Sequence, residues 1–258
     1  MNSFQQILIF GSAVLAGGLN AIAGGGSFIS FPALIFAGVS PINANATSTV
    51  ALLPGSIASV GAYRNQVNWR DPEFLSLVVI SIIGGILGAI VLLNTPQNLF
   101  VKLLPYLLLS ATLLFTFSKS LTQWLKSQTS KLPDSESTNS LSKYGMPVFQ
   151  GVIALYGGFF GGGIGILMLA LLSLMGMENI NKMNGIKTVL AALINGMAIV
   201  PFVIAGIINW HAAILMAIGA GLGGYLSAYY AQKLNPTYIR RFVIFVGFSM
   251  TIYFFIKS

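Results

Sequence analysis

Three consecutive glycines, Gly24-Gly25-Gly26, interrupt an apolar stretch running from Ile7 to Val39. At 1.5 Å rise per residue, the pieces Ile7–Ile22 and Phe28–Val39 make helices of only ~18–24 Å, short of a ~30 Å hydrocarbon core. Joined as one helix they are far too long. Each glycine costs a helix ~1 kcal/mol relative to alanine, so the run reads as a break rather than a continuous helix. Irregular backbone at membrane depth is tolerated only inside protein or beside a water-filled cavity, which makes the break a candidate binding site. A second such stretch is Tyr156-Gly157-Gly158-Phe159-Phe160-Gly161-Gly162-Gly163-Ile164-Gly165.

The membrane enters the argument through composition. The 258 residues are 55% hydrophobic and 7% charged, with a mean hydropathy of +0.84. Soluble domains carry roughly 25% charged residues, so the expected fold class is an all-α polytopic membrane protein. Unbroken apolar runs such as Phe74 to Leu93 lack the alternation of a transmembrane β-barrel. Met1 to Gln6 holds no Lys or Arg, so the first segment lacks the basic start of a signal peptide. Cysteine is absent, which removes disulfides and thiolate chemistry. The net charge of +8 comes from residues flanking the apolar spans, which fits the positive-inside rule rather than nucleic-acid binding.

The landmarks recur in order. Gly24-Gly25-Gly26 answers to Gly161-Gly162-Gly163 at an offset of 137, and Asn45…Thr49-Val50 to Asn184…Thr188-Val189 at 139. Val67-Asn68-Trp69 answers to Ile208-Asn209-Trp210 at 141, and Pro96 to Pro236. The expectation is an internal duplication: repeat 1 over 1–122, a polar linker over 123–145 and repeat 2 over 146–258. Each repeat holds one Gly-broken element, either a re-entrant hairpin or two short crossings, and three transmembrane helices. If each broken element returns to the side it came from, the repeats are inverted and Lys and Arg divide 11 to 2 between the two sides. If each crosses once, the repeats are parallel and the division is 7 to 6. The positive-inside rule selects the inverted arrangement, with the linker cytoplasmic and both termini outside.

No carboxylate falls in an expected span, because Asp71, Glu73, Asp134, Glu136 and Glu178 all read as loop residues. The polar groups left inside are Asn20, Ser27, Asn45, Thr47, Thr49, Asn184, Lys187, Thr188 and Asn195. Helices starting at Ser27 and Ile164 would aim free N–H groups and positive dipole ends at the breaks, favouring an anion. The candidate substrate site is therefore Asn20, Gly24, Gly25, Gly26, Ser27, Asn45, Thr49, Gly161, Gly162, Gly163, Asn184, Lys187 and Thr188. Within it, the N–H groups near Gly25, Gly26, Gly162 and Gly163 are the expected anion donors. Asn45, Thr49, Asn184 and Thr188 would add side-chain hydrogen bonds, and Lys187 the counter-charge.

Blander readings stand beside these. The glycines also suit close helix packing, Asn45 and Asn184 suit helix caps or interhelical hydrogen bonds, and Lys187 suits snorkelling to the interface. Arg64, Trp69 and Trp210 read as interface anchors, and His211 as a residue of a short loop. Glycines at Gly84-Gly85 and Gly223-Gly224 would pack helices within one subunit or between subunits of a homo-oligomer equally well.

The Gly-rich segments Gly18 to Ser27 and Gly157 to Gly165 resemble the sulfite exporter TauE/SafE family of transporters. Asn45-Ala46-Thr47-Ser48 and Asn184-Gly185-Ile186-Lys187-Thr188 share the resemblance. It implies movement of a small sulfur oxyanion or organosulfonate across the bacterial inner membrane. From the two inverted repeats, alternating access is expected by rocking one repeat against the other. One departure is that Ser48 stands where repeat 2 has Lys187. An anion channel, or a transporter of another small organic solute, would use the same architecture. An enzyme is not expected: a Ser/His dyad would require His211 at depth, and no Gly-x-x-x-x-Gly-Lys-Ser/Thr loop occurs. No cofactor or metal is expected, and the expected partners are a small anion and the lipid bilayer.

Overall fold

The computed structural model describes residues 2–22, 25–129, 146–175, 177, 179–230 and 236–257. Among them are ten α-helices, one short 3-10 turn at Arg64–Gln66 and no strand. In chain order the helices are α1 (Ser3–Ile22), α2 (Ser27–Phe36), α3 (Pro41–Tyr63), α4 (Pro72–Leu93) and α5 (Gln97–Thr129). They continue as α6 (Met146–Phe159), α7 (Ile164–Leu174), α8 (Ile180–Ile204), α9 (Trp210–Tyr230) and α10 (Pro236–Lys257). Gly24, Glu178 and the expected linker from 130 to 145 lie outside the described residues.

Both expected breaks are present, but their arms are unequal. α1 has 20 residues, or ~30 Å, so this arm is long enough to cross, longer than the sequence reading allowed. α2, α6 and α7 have 10, 14 and 11 residues, or ~15–21 Å, and fall short of a bilayer. Among the described residues, three helical segments are long and apolar enough to span: Pro72–Leu93, Gln97–Phe117 and Asn181–Ile204. α5 runs on as helix to Thr129, beyond the expected linker boundary at 123. Glu73 sits in the first turn of α4 rather than in a loop, exposed, behind an N-cap bond from its own N–H to Asp71. His211 likewise belongs to α9, where it is exposed beside the Gln6 amide at 3.2 Å.

The two ends of the bundle follow from the contacts. At one end, Gln5 of α1, Gly38 after α2, Asn43 of α3 and Gly206–Asn209 after α8 line one groove. The α1–α2 element therefore leaves where it came from, as a hairpin. At the other end, the C-terminal turn of α3 and the segment after it (Tyr63, Gln66, Val67) pack on Gly185 near the start of α8. With the Asn209 N–H donating to Thr47 Oγ1 at 3.0 Å at the first end, α3 and α8 run antiparallel.

Glycine sets the tightest helix pairs. A Cβ at Gly88 of α4 would sit on the Leu155 carbonyl of α6, and one at Gly223 of α9 on the Val14 carbonyl of α1. α1 thus pairs with α9, and α4 with α6. Exchanging α1–α5 for α6–α10 turns the first pair into the second. It also turns α4 against α8 into α9 against α3, and leaves the α3–α8 and α5–α10 pairs unchanged. The expected close approaches at Gly84-Gly85 and Gly223-Gly224 are therefore met inside one chain.

Candidate functional site

α3 and α8 cross near Leu53 and Gly196, and a cavity of about 150 Å³ lies along their faces between the two breaks. Each polar lining residue is there for a local reason. On α3, Asn45, Ser48, Thr49, Leu52, Ser56 and Ser59 recur every three or four residues and so share one helical face. On α8 the face is Lys187, Thr188, Ala191 and Asn195. The breaks supply Asn20, Gly25 and Ser27 from one side, and Gly161, Gly163, Ile164 and Gly165 from the other. Phe28, Phe115 and Phe160 form an apolar wall. Phe160 is backed edge-on by Phe31, with centroids 5.9 Å apart.

The second break requires glycine. Gly161 and Gly163 both have φ of +79°, a left-handed conformation that side chains resist, and Gly163 is the N-cap of α7. Among the described residues, the N–H groups of Gly162, Gly163, Ile164 and Gly165 make no hydrogen bond. They are the orphan donors of a helix start, carrying its partial positive charge.

At the first break two donors are already taken. Asn20 Oδ1 accepts from Gly25 N–H at 3.2 Å and Gly26 N–H at 2.9 Å. The expected anion donors at Gly25 and Gly26 are therefore engaged by the protein itself, because Asn20 lies within reach across the turn. Ser30 Oγ then bonds the Gly26 carbonyl at 3.2 Å and meets Ser48 Oγ at 2.6 Å, tying α2 to α3.

Lys187 lies along the cavity with its stem over Gly165, whose added Cβ would fall 3.4 Å from Lys187 Cδ. Its ammonium donates to Asn184 Oδ1, one turn back, at 3.2 Å. No Asp or Glu lines the cavity, and Lys187 is the one charged residue among the described lining.

Of the expected site residues, Asn20, Gly25, Ser27, Asn45, Thr49, Gly161, Gly163, Lys187 and Thr188 line this space. Gly26 is buried against the Ala16 carbonyl and Asn20, Gly162 borders a small adjoining void, and Asn184 touches the site only through Lys187. Gly24 lies outside the described residues. Neither asparagine is a helix cap: Ser40 and Asn179 hold the N-cap positions of α3 and α8. Asn45 instead donates from Nδ2 to the Phe159 carbonyl at 3.1 Å, satisfying the last turn of α6. Ser48, Ser56, Ser59 and Asn195 are lining residues that the expected site did not include. The helical spacing from Asn45 through Thr49 and Leu52 pointed to Ser56 and Ser59.

An all-helical bundle with apolar spanning helices, two broken elements and an internal polar cavity defines a multi-pass membrane transporter. The comparisons with known proteins agree and narrow the class. Residues 9–254 match the TauE family, described as Sulfite exporter TauE/SafE, and the chain belongs to that family. It is 32% identical over 249 residues to a probable membrane transporter protein of Haemophilus influenzae, covering 95% of this chain and 92% of that one. The probable membrane transporter protein YfcA of Escherichia coli is 27% identical over 249 residues, covering 95% and 87%. The probable membrane transporter protein ORF9 of Sinorhizobium is 27% identical over 245 residues, covering 95% and 90%. No solved structure matches.

Proposed function

We propose that this chain is a secondary transporter that carries a small sulfur-containing anion, sulfite or an organosulfonate, across the cell membrane by alternating access. The observation that carries the anion reading is Lys187. It is a partly buried cation with no carboxylate among the lining residues, and its stem packs over Gly165 near the start of α7. Buried charges are otherwise paired, so the missing partner is the substrate. Gly163, Ile164 and Gly165 give it backbone donors, while Thr188, Thr49 and Ser48 lie on the facing helices. Sulfur chemistry comes from the family's description. The alternatives, an anion channel or a carrier of another small organic solute, would use the same cavity.

The architecture proposed is two inverted repeats, 1–122 and 146–258, joined by a cytoplasmic linker, with both termini outside. Its support is the antiparallel α3–α8 pair, the exchange symmetry of helix pairing, and the one-sided distribution of Lys and Arg. The helix pairing bears on how access alternates. Each repeat's hairpin arm, α1 or α6, is locked by glycine packing onto the other repeat, so the moving bodies are not the two sequence halves. α1 moves with α9, and α6 with α4.

Ligand-dependent thermal stabilisation of the detergent-purified protein tests the anion reading, since binding to the folded state alone raises the midpoint. The panel is sulfite, sulfate, thiosulfate, sulfoacetate, taurine, chloride and leucine. A shift with sulfite or a sulfonate supports the reading. A shift with leucine and none with any anion overturns it.

A further inference from the structure

Asn45 and Asn184 occupy matching positions in the two repeats, yet their side chains do different things. Asn45 donates to the Phe159 carbonyl, the last residue of α6 before the second break. Aligned on the glycine triplets, Phe159 corresponds to Ile22, the last residue of α1 before the first break. By the same exchange, the donor for the Ile22 carbonyl is Asn184. Here Asn184 is turned to Lys187, accepting its ammonium at 3.2 Å, and its own amide N–H groups bond nothing among the described residues.

The cavity is lopsided in the same sense. Its lining reaches Ser59 near the C-terminus of α3 and Leu169 in α7. The exchange-related positions, Ala198 and Pro32, are buried in packed protein. At the end where α3 begins the lining stops at Asn45; toward the end where α8 begins it includes Ser59, Leu169 and Lys187 but not Asn184. The cavity thus extends toward the side of the disengaged asparagine, while on the side of the engaged one the related positions are packed.

We propose that these asparagines are alternate latches. Asn45 on the Phe159 carbonyl holds the end near Asn209 closed. In the opposite state that bond breaks, and Asn184 leaves Lys187 for the Ile22 carbonyl and closes the end near Val67. Releasing Asn184 from the Lys187 ammonium couples the switch to the charge at the cavity, and the proposal rests on the alternating-access reading above.

The absence of cysteine makes the test direct. Single-cysteine proteins carrying Ser59→Cys or Ala198→Cys are labelled in detergent with a water-soluble maleimide, without substrate. Asn45→Ala raises the labelling rate at 198 and lowers it at 59, and Asn184→Asp, which keeps the acceptor for Lys187 and loses the amide donor, does the reverse. Each change is roughly fivefold, the equivalent of one net hydrogen bond. Shifts in the same direction, or none, overturn the latch pair. If Asn45→Ala does not purify as a single species, Asn184→Asp alone decides: labelling at 59 that fails to rise, or at 198 that fails to fall, overturns it. No anion enters the experiment, so its failure is distinct from failure of the substrate reading.

Discussion

Asn20 Oδ1 lies 2.9 Å from the Gly26 backbone nitrogen and fills, with a side-chain oxygen, the position at the first break that an anion's oxygen would take. The matching position in the second repeat is Gly157, which has no side chain, and there the N–H groups stay open. Among the described residues, the two similar breaks therefore differ in their open donors: Gly162, Gly163, Ile164 and Gly165 at the second against Ser27 at the first.

Replacing Asn20 separates structure from binding. Asn20→Ala leaves two helix-start donors unpaired and is expected to cost about 0.5–2 kcal/mol, the usual loss for a missing cap. Asn20→Asp keeps the acceptor, and a negative group is favourable at a helix start, so its ligand-free thermal midpoint stays near that of the parent. Asp at this position faces the cavity, however, and anion affinity falls. An Ala variant as stable as the parent, or an Asp variant that binds anion undiminished, contradicts this account of the first break.

The helix pairs predict a contrast between two glycines. Gly88→Ala drives a methyl group onto the Leu155 carbonyl and within 2.9 Å of Gly158 Cα, and should destabilise by about 1–3 kcal/mol. Gly221, on the open face of α9, has nothing within 4 Å of an added Cβ. Gly221→Ala should leave the protein unchanged or more stable by roughly 0.5–1 kcal/mol. Thermal midpoints in one detergent decide it; equal effects at the two positions would contradict the packing.

Much of this was legible in the sequence, for reasons that can be named. Glycine triplets mark breaks because glycine adopts, without steric cost, the positive φ found at Gly161 and Gly163. Lys187 stood out because a cation inside an apolar helix has few explanations. Other features depended on where the chain folds back. The cap from Asn20 crosses the turn to Gly25 and Gly26, and composition carries no trace of it. Ser56 and Ser59 share a face with Asn45, but only the cavity distinguishes that face from the others on α3. The wall residues Phe28, Phe115 and Phe160 were hidden among 18 phenylalanines. Asn184 was placed at the site by its match to Asn45, and its departure from that match appears only in the bond to Lys187.

The central claim is that Lys187 is the counter-charge of a transported anion. Counterflow of labelled sulfite and of a labelled sulfonate in proteoliposomes, with the parent protein and with Lys187→Met, tests it most directly. The account predicts saturable counterflow by the parent and at least about a tenfold loss in the variant, which loses a charge-assisted contact but still folds. Equal counterflow by Lys187→Met, or flux by the parent that rises linearly without saturation, would contradict it.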